Sequence, residues 1–316
     1  MDQVARLLHH IASQVEEPLR SMLCRSVGGG KQLRPALVVL TGRVFNAPPA
    51  PFRRLAAAVD MLHSATLIHD DVVDNSPLRR GQKTLHTIWP AGVTVLAGDY
   101  LLGEATALVA ELENPRITRA FAGILRTMCA GEISRMLAIN RGHGACSQGG
   151  TDRWRQDYYR DIEAKTASFF AATMEMGAVL AHAEERQIDV LRRYGWGLGI
   201  AFQIMDDVLD FAGDERNVGK PVGSDLRRGL PTLPLLCYLE MAKTGGPVGI
   251  VLSGQGDEAE VQAALEAIRA SGAIEAALCE ASVHARRSQE ALISFPDSPW
   301  IRILHALAEY VIQREI

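Results

Sequence analysis

The chain has 316 residues, 47% hydrophobic and 22% charged, which is enough apolar material for a large buried core. Its 33 basic and 37 acidic side chains leave a net charge of -4, which argues against a nucleic-acid surface. The five cysteines are scattered without Cys-x-x-Cys spacing and fit a reducing cytoplasm.

From the N-terminus, "MDQVARLLHHIASQVEEPL" alternates charged and apolar residues and does not read as a signal peptide. The first break, "VGGGKQLRP" at 27–35, leads into the helical pattern "PFRRLAAAVDMLHSATLIHDDVVD". "NSPLRRG" at 75–81 ends that helix, and "NPRITRAFAGILRTMCAGEISRMLAIN" starts another long one. Further breaks fall at "RGHGACSQGG", "FAGDERNVGKPVGSDLRRGLP" and "SFPDSP", with "DEAEVQAALEAIRAS" helical between the last two. Alternating strand patterns are nearly absent, so the expected fold is an all-α helical bundle. No linker divides it, which favours one domain over residues 1–316. No apolar run approaches the ~20 residues of a membrane span.

Two stretches echo each other: "LIHDDVVDN" at 67–75 and "QIMDDVLDF" at 203–211. On a helix, residues four apart share a face, so Asp70 pairs with Asp74 and Asp206 with Asp210, with Asp71 and Asp207 flanking them. Near a helix C-terminus such charge is unfavourable unless a cation offsets it. Hard carboxylate oxygens suit Mg²⁺, which takes one or two carboxylates together with substrate phosphates. The breaks supply cations for a diphosphate: Lys31, Arg34, Arg79, Arg80, Lys165 and Lys220. Each alone is an ordinary surface charge. "GGGK" lacks the GxxxxGK[ST] spacing and the preceding strand of a nucleotide loop. "GWGLG" at 195–199 reads as close helix packing in preference to a dinucleotide site.

These motifs, in the order "GGGKQLRP", "LHSATLIHDD", "RRGQKTLH", "AGDYLLGEA", "KTASFF" and "GKPVGSDLRRGLPTLP", resemble the trans-isoprenyl (polyprenyl) diphosphate synthases, the head-to-tail prenyltransferases. The resemblance runs from the glycine loop to the C-terminus and implies condensation of isopentenyl diphosphate with an allylic diphosphate. It implies Mg²⁺ on Asp70, Asp74 and Asp206, with Asp71, Asp207 and Asp210 ligating or acting through water. It also implies added charge from Arg79, Lys165 and Lys220, hydrogen bonds from Thr166 and Gln203, and isopentenyl diphosphate held by Lys31, Arg34, His63 and Arg80. A homodimer follows from the family alone, and an apolar product would draw the protein transiently to a membrane surface. Gln32 and Leu230 depart from the basic residues common in the family. Ala65 and Thr66, one turn before Asp70, are small where short-chain members carry an aromatic floor. That implies a product longer than geranylgeranyl, with Ala65→Phe as the test. A farnesyl or geranylgeranyl synthase, a non-catalytic partner subunit and a terpene cyclase are the alternatives.

Overall fold

A computed structural model describes residues 1–140, 150–212, 222–241, 246–254 and 256–313, and only the backbone of 138–140. Helices α1 (Asp2–Ser13), α2 (Leu19–Ser26), α3 (Leu33–Val44), α4 (Pro49–Val73) and α5 (Ala91–Ala110) come first. A small antiparallel ribbon of β1 (Leu78–Arg79) and β2 (Gln82–Lys83) lies between α4 and α5. Then follow α6 (Pro115–Asn140), α7 (Gly150–Ile162), α8 (Ser168–Leu180) and α9 (Glu185–Ala212). Residues Glu163–Ala167 join α7 to α8 as a π-helical turn, so the helical run is continuous over 150–180. Further helices include Leu233–Met241, Gly246–Leu252, Glu258–Ala270, Ala273–Ala291 and Pro299–Ile312. The expected all-α architecture is what forms.

The chain divides into two compact units. One comprises Met1–Gly123, Ala172–Arg192 and Pro296–Arg302; the other comprises Ile124–Ala171, Arg193–Phe295 and Ile303–Ile316. In the first, α4 is the central rod. Pro49 starts it at a position where a missing N–H costs nothing. Every residue from Leu55 to Leu62 is buried, which is why its sequence shows no simple apolar stripe. Asn75, in a left-handed conformation at φ 48, turns the chain off its C-terminal end.

Helix α5 bears on the expectation about membrane spans. Its twenty residues are long and apolar enough to cross a bilayer by length and composition, although it carries Asp99 and Glu104. Less than half of that apolar stretch is buried, so the helix presents much of it outward.

In the second unit, Tyr158, Ile162, Ala167, Ile204, Val208 and Phe211 share one core with Leu233–Leu239 and the helices Glu258–Ala270 and Ala273–Ala291. Helices α8 and α9 approach so closely that their backbones nearly touch. A methyl group on Gly195 would lie 2.5 Å from the Phe170 carbonyl oxygen, and one on Gly199 would lie 2.7 Å from the Ala167 Cα. The glycines of "GWGLG" therefore serve helix packing, as their spacing suggested.

Candidate active site

In the first unit, α4 organises the loop ahead of α3. The Asp60 carboxylate, only 4% exposed, accepts the Gly28 N–H at 3.0 Å, and one turn on the Ser64 hydroxyl donates to the Ser26 carbonyl at 2.9 Å. Burial raises the Asp60 pKa, while the Gly28 N–H and the nearby Arg80 and Arg34 pull it back. On the same helix, His63 lies 3.3 Å from an Arg34 Nη1 donor. Burial, then Arg34, Arg80 and Arg79, push the His63 pKa well below its usual value. His63 is thus neutral near pH 7, and Nε2 accepts from Arg34.

Arg80, at φ 53 on the ribbon turn, lays its guanidinium over the glycines of the loop. A methyl group on Gly29 would meet its Nη1 at 2.8 Å, and one on Gly30 its Nη2 at 2.4 Å. The loop is therefore built for Arg80. Lys31 beside it is exposed. Gln32, at φ 44, buries its amide nitrogen without a hydrogen-bond partner, a donor that suits an incoming anion.

Arg79, on β1, grips Asp71 through Nε at 2.8 Å and Nη2 at 2.7 Å. Asp71 is buried, whereas Asp70 and Asp74 are partly exposed. His69 turns toward α5: its Nε2 lies 3.2 Å from the Val95 carbonyl and 3.3 Å from Asp99. Ala65 is fully buried, while Thr66 is partly exposed and donates to the His63 carbonyl at 2.8 Å.

In the second unit, Thr166, Gln203 and Asp207 form a hydrogen-bonded chain. The Thr166 hydroxyl, in the π-turn, donates to the Gln203 carbonyl at 2.7 Å. Gln203 Nε2 donates to Asp207 Oδ1 at 3.0 Å, and the Tyr158 phenol donates to Oδ2 at 2.6 Å. Burial raises the Asp207 pKa, as do Asp225 and Asp206, against the pull of those two donors. Asp210, also buried, accepts the Ser224 hydroxyl and the Asp225 N–H, both at 2.9 Å. Asp206 is partly exposed. Lys165 places Nζ 3.4 Å from Glu132 Oε2. Lys220 lies outside the described residues.

Among the described residues, no three His, Cys, Asp or Glu side chains form a ready cage for a cation. The donor set still fits Mg²⁺ in its usual manner, with a few carboxylate oxygens completed by substrate phosphate and water. Asp60, Tyr158 and Glu132 were not singled out by sequence reasoning. Asp60 had a readable signal, a lone carboxylate inside "AAAVDML"; Tyr158 had none.

A family model described as polyprenyl synthetase matches residues 16–268. The heptaprenyl diphosphate synthase component 2 of Geobacillus stearothermophilus is 34% identical over 292 residues, 91% of this chain and 87% of that protein. A short chain isoprenyl diphosphate synthase of Methanothermobacter thermautotrophicus is 33% identical with the same coverage. The crystal structure of a polyprenyl synthase from Caulobacter crescentus, complexed with calcium and isoprenyl diphosphate, superposes with a TM-score of 0.87 at 35% identity, covering 99% of this chain and 97% of that one. With its motifs in order and the match spanning most of its length, the chain belongs to the polyprenyl synthetase family.

Proposed function

We propose that this chain is a prenyltransferase that condenses isopentenyl diphosphate with an allylic diphosphate into a medium- or long-chain all-trans polyprenyl diphosphate. The observation that carries the reading is a shared division of labour in the two aspartate motifs. In each, the second carboxylate is tied down by internal donors, Asp71 by Arg79 and Asp207 by Tyr158 and Gln203. The first carboxylate, Asp70 or Asp206, stays partly exposed.

The allylic C–O bond ionises to a cation and pyrophosphate, the isopentenyl double bond attacks the cation, and a proton is lost. The barrier is charge separation, so the chain must supply fixed positive charge at the leaving diphosphate. Arg79, Lys165 and Lys220 have that role, and Asp70 and Asp74 in one motif and Asp206 in the other would hold Mg²⁺. Bound there, the ion would supply Lewis-acid charge to the leaving diphosphate. Thr166 and Gln203 orient hydrogen bonds beside the reacting carbons. Lys31, Arg34, His63 and Arg80 hold isopentenyl diphosphate, a set for which a terpene cyclase has no use. A non-catalytic subunit would be expected to lack one of the motifs, and both are present.

Gly29→Ala tests the isopentenyl diphosphate assignment. Its backbone needs no left-handed φ, so the new methyl acts only by displacing the Arg80 guanidinium. KM for isopentenyl diphosphate is expected to rise about tenfold, ~1.4 kcal/mol, near the low end for a charge-assisted hydrogen bond. A rise confined to the allylic substrate would show that the two sites are exchanged.

For product length, the burial of Ala65 moves the test to Thr66, which is partly exposed. Thr66→Phe is expected to shift the product to farnesyl or geranylgeranyl diphosphate while the first condensations continue. An unchanged product distribution would refute this account of length control.

A homodimer accounts for the apolar outer face of α5, where Leu96 is 66% exposed and Val93 and Val95 lie beside it. The words "component 2" in one relative's name favour a second reading, a different partner chain. Light scattering of the purified protein, with its activity measured alone, separates the two. The cytoplasm is the compartment this reading places it in. Incubation with Mg²⁺, isopentenyl diphosphate and a radiolabelled allylic primer, with chain length read directly, decides the whole proposal. A cyclic product, or none, would overturn it.

A further inference from the structure

Two neighbouring tyrosines on α7 have different partners. The Tyr158 phenol reaches Asp207 on α9, whereas the Tyr159 phenol bonds Glu280, itself held by Arg155. Tyr158 and Asp207 are both buried, and the two Asp207 oxygens accept from different donors, Oδ2 from Tyr158 and Oδ1 from Gln203. That fixes the Gln203 amide as well. Its Nε2 donates to Asp207 Oδ1, which leaves the amide oxygen to accept the Thr166 hydroxyl. The chain Tyr158, Asp207, Gln203, Thr166 thus has one consistent direction.

We propose that Tyr158 is a positioning residue for the prenyl transfer. It holds Asp207 in the one rotamer that locks the Gln203 amide against Thr166, so Asp207 acts inside the protein and is not itself a cation ligand. The inference rests on the function proposed above and deepens it. Removing the phenol oxygen leaves Asp207 Oδ2 buried without this donor, free to rotate and take the Gln203 Nε2 contact with it. The residues assigned to isopentenyl diphosphate belong to the other compact unit: Lys31 in the loop ahead of α3, Arg34 on α3, His63 on α4 and Arg80 at the ribbon turn.

The test is Tyr158→Phe with Tyr159→Phe as its structural twin. In Tyr158→Phe, kcat is expected to fall about tenfold with KM for isopentenyl diphosphate unchanged. Calorimetric affinity for inorganic pyrophosphate with Mg²⁺ is expected to stay within about twofold, because no ligand is lost. Tyr159→Phe is expected to lower the unfolding midpoint and leave kcat alone. Asp207→Asn reads the same contact from the other side, and adding Tyr158→Phe to it should cost little more. The proposal is overturned if Tyr158→Phe keeps full kcat, if the two tyrosine variants behave alike, or if Asp207→Asn abolishes pyrophosphate binding with Mg²⁺. Wild type that makes no prenyl product would instead remove the functional reading on which this rests.

Discussion

Asp70→Ala and Asp206→Ala are each expected to lower turnover about a thousandfold, with the helical circular dichroism spectrum unchanged. A factor of that size is ~4 kcal/mol of transition-state stabilisation, in the range seen when one preorganised electrostatic contact to developing charge is lost. Stability should not fall with activity. Asp70 sits in the last turn of α4, one position from Asp71 and one turn from Asp74, where negative charge opposes the helix dipole and its own neighbours. Truncation relieves that repulsion, so the urea midpoint of Asp70→Ala should equal or exceed that of wild type. Mg²⁺-dependent turnover retained in both variants would remove these aspartates from the cation site.

Gly195→Ala is expected to destabilise the fold by ~3 kcal/mol or more, the upper end for overpacking a tight interior. The atoms its methyl would strike are backbone: the Phe170 carbonyl oxygen at 2.5 Å and the Ala171 Cα at 2.9 Å. No side-chain rotation can make room, so α8 itself must move. Gly249 provides the contrast. A methyl there meets nothing within 4 Å, so Gly249→Ala, inside the helix Gly246–Leu252, should gain up to ~1 kcal/mol from helix propensity. Equal unfolding midpoints for the two variants would contradict this account of the α8 and α9 contact.

The long helices were legible because their apolar spacing agrees with their boundary residues, as at Pro49, which starts α4, and Asn75, which lies just past its end. The aspartate motifs were legible because they repeat. Their internal division was not: what separates Asp206 from Asp207 is a phenol forty-nine positions earlier in the chain, a distance that no local pattern spans. The ribbon at 78–83 escaped notice because each strand has two residues, too few for alternation to register. The outward face of α5 was hidden by its composition, since an apolar helix reads the same whether its own core or another chain covers it.

The π-turn at Glu163–Ala167 sets a limit on how this segment can vary. It lodges one residue more than an α-helix would use, and each helical residue advances about 100° around the axis. Side chains before it and after it are therefore out of phase by about that angle relative to a plain helix. Tyr158 lies on one side of the offset, with Phe169 and Phe170 of α8 on the other. A point substitution within the turn preserves this phase. Deleting any one residue between 163 and 167 would let the run anneal into regular α-helix, swinging Tyr158 away from Asp207 or the α8 aromatics out of the core. For this stretch, then, the number of residues is under tighter constraint than several of their identities.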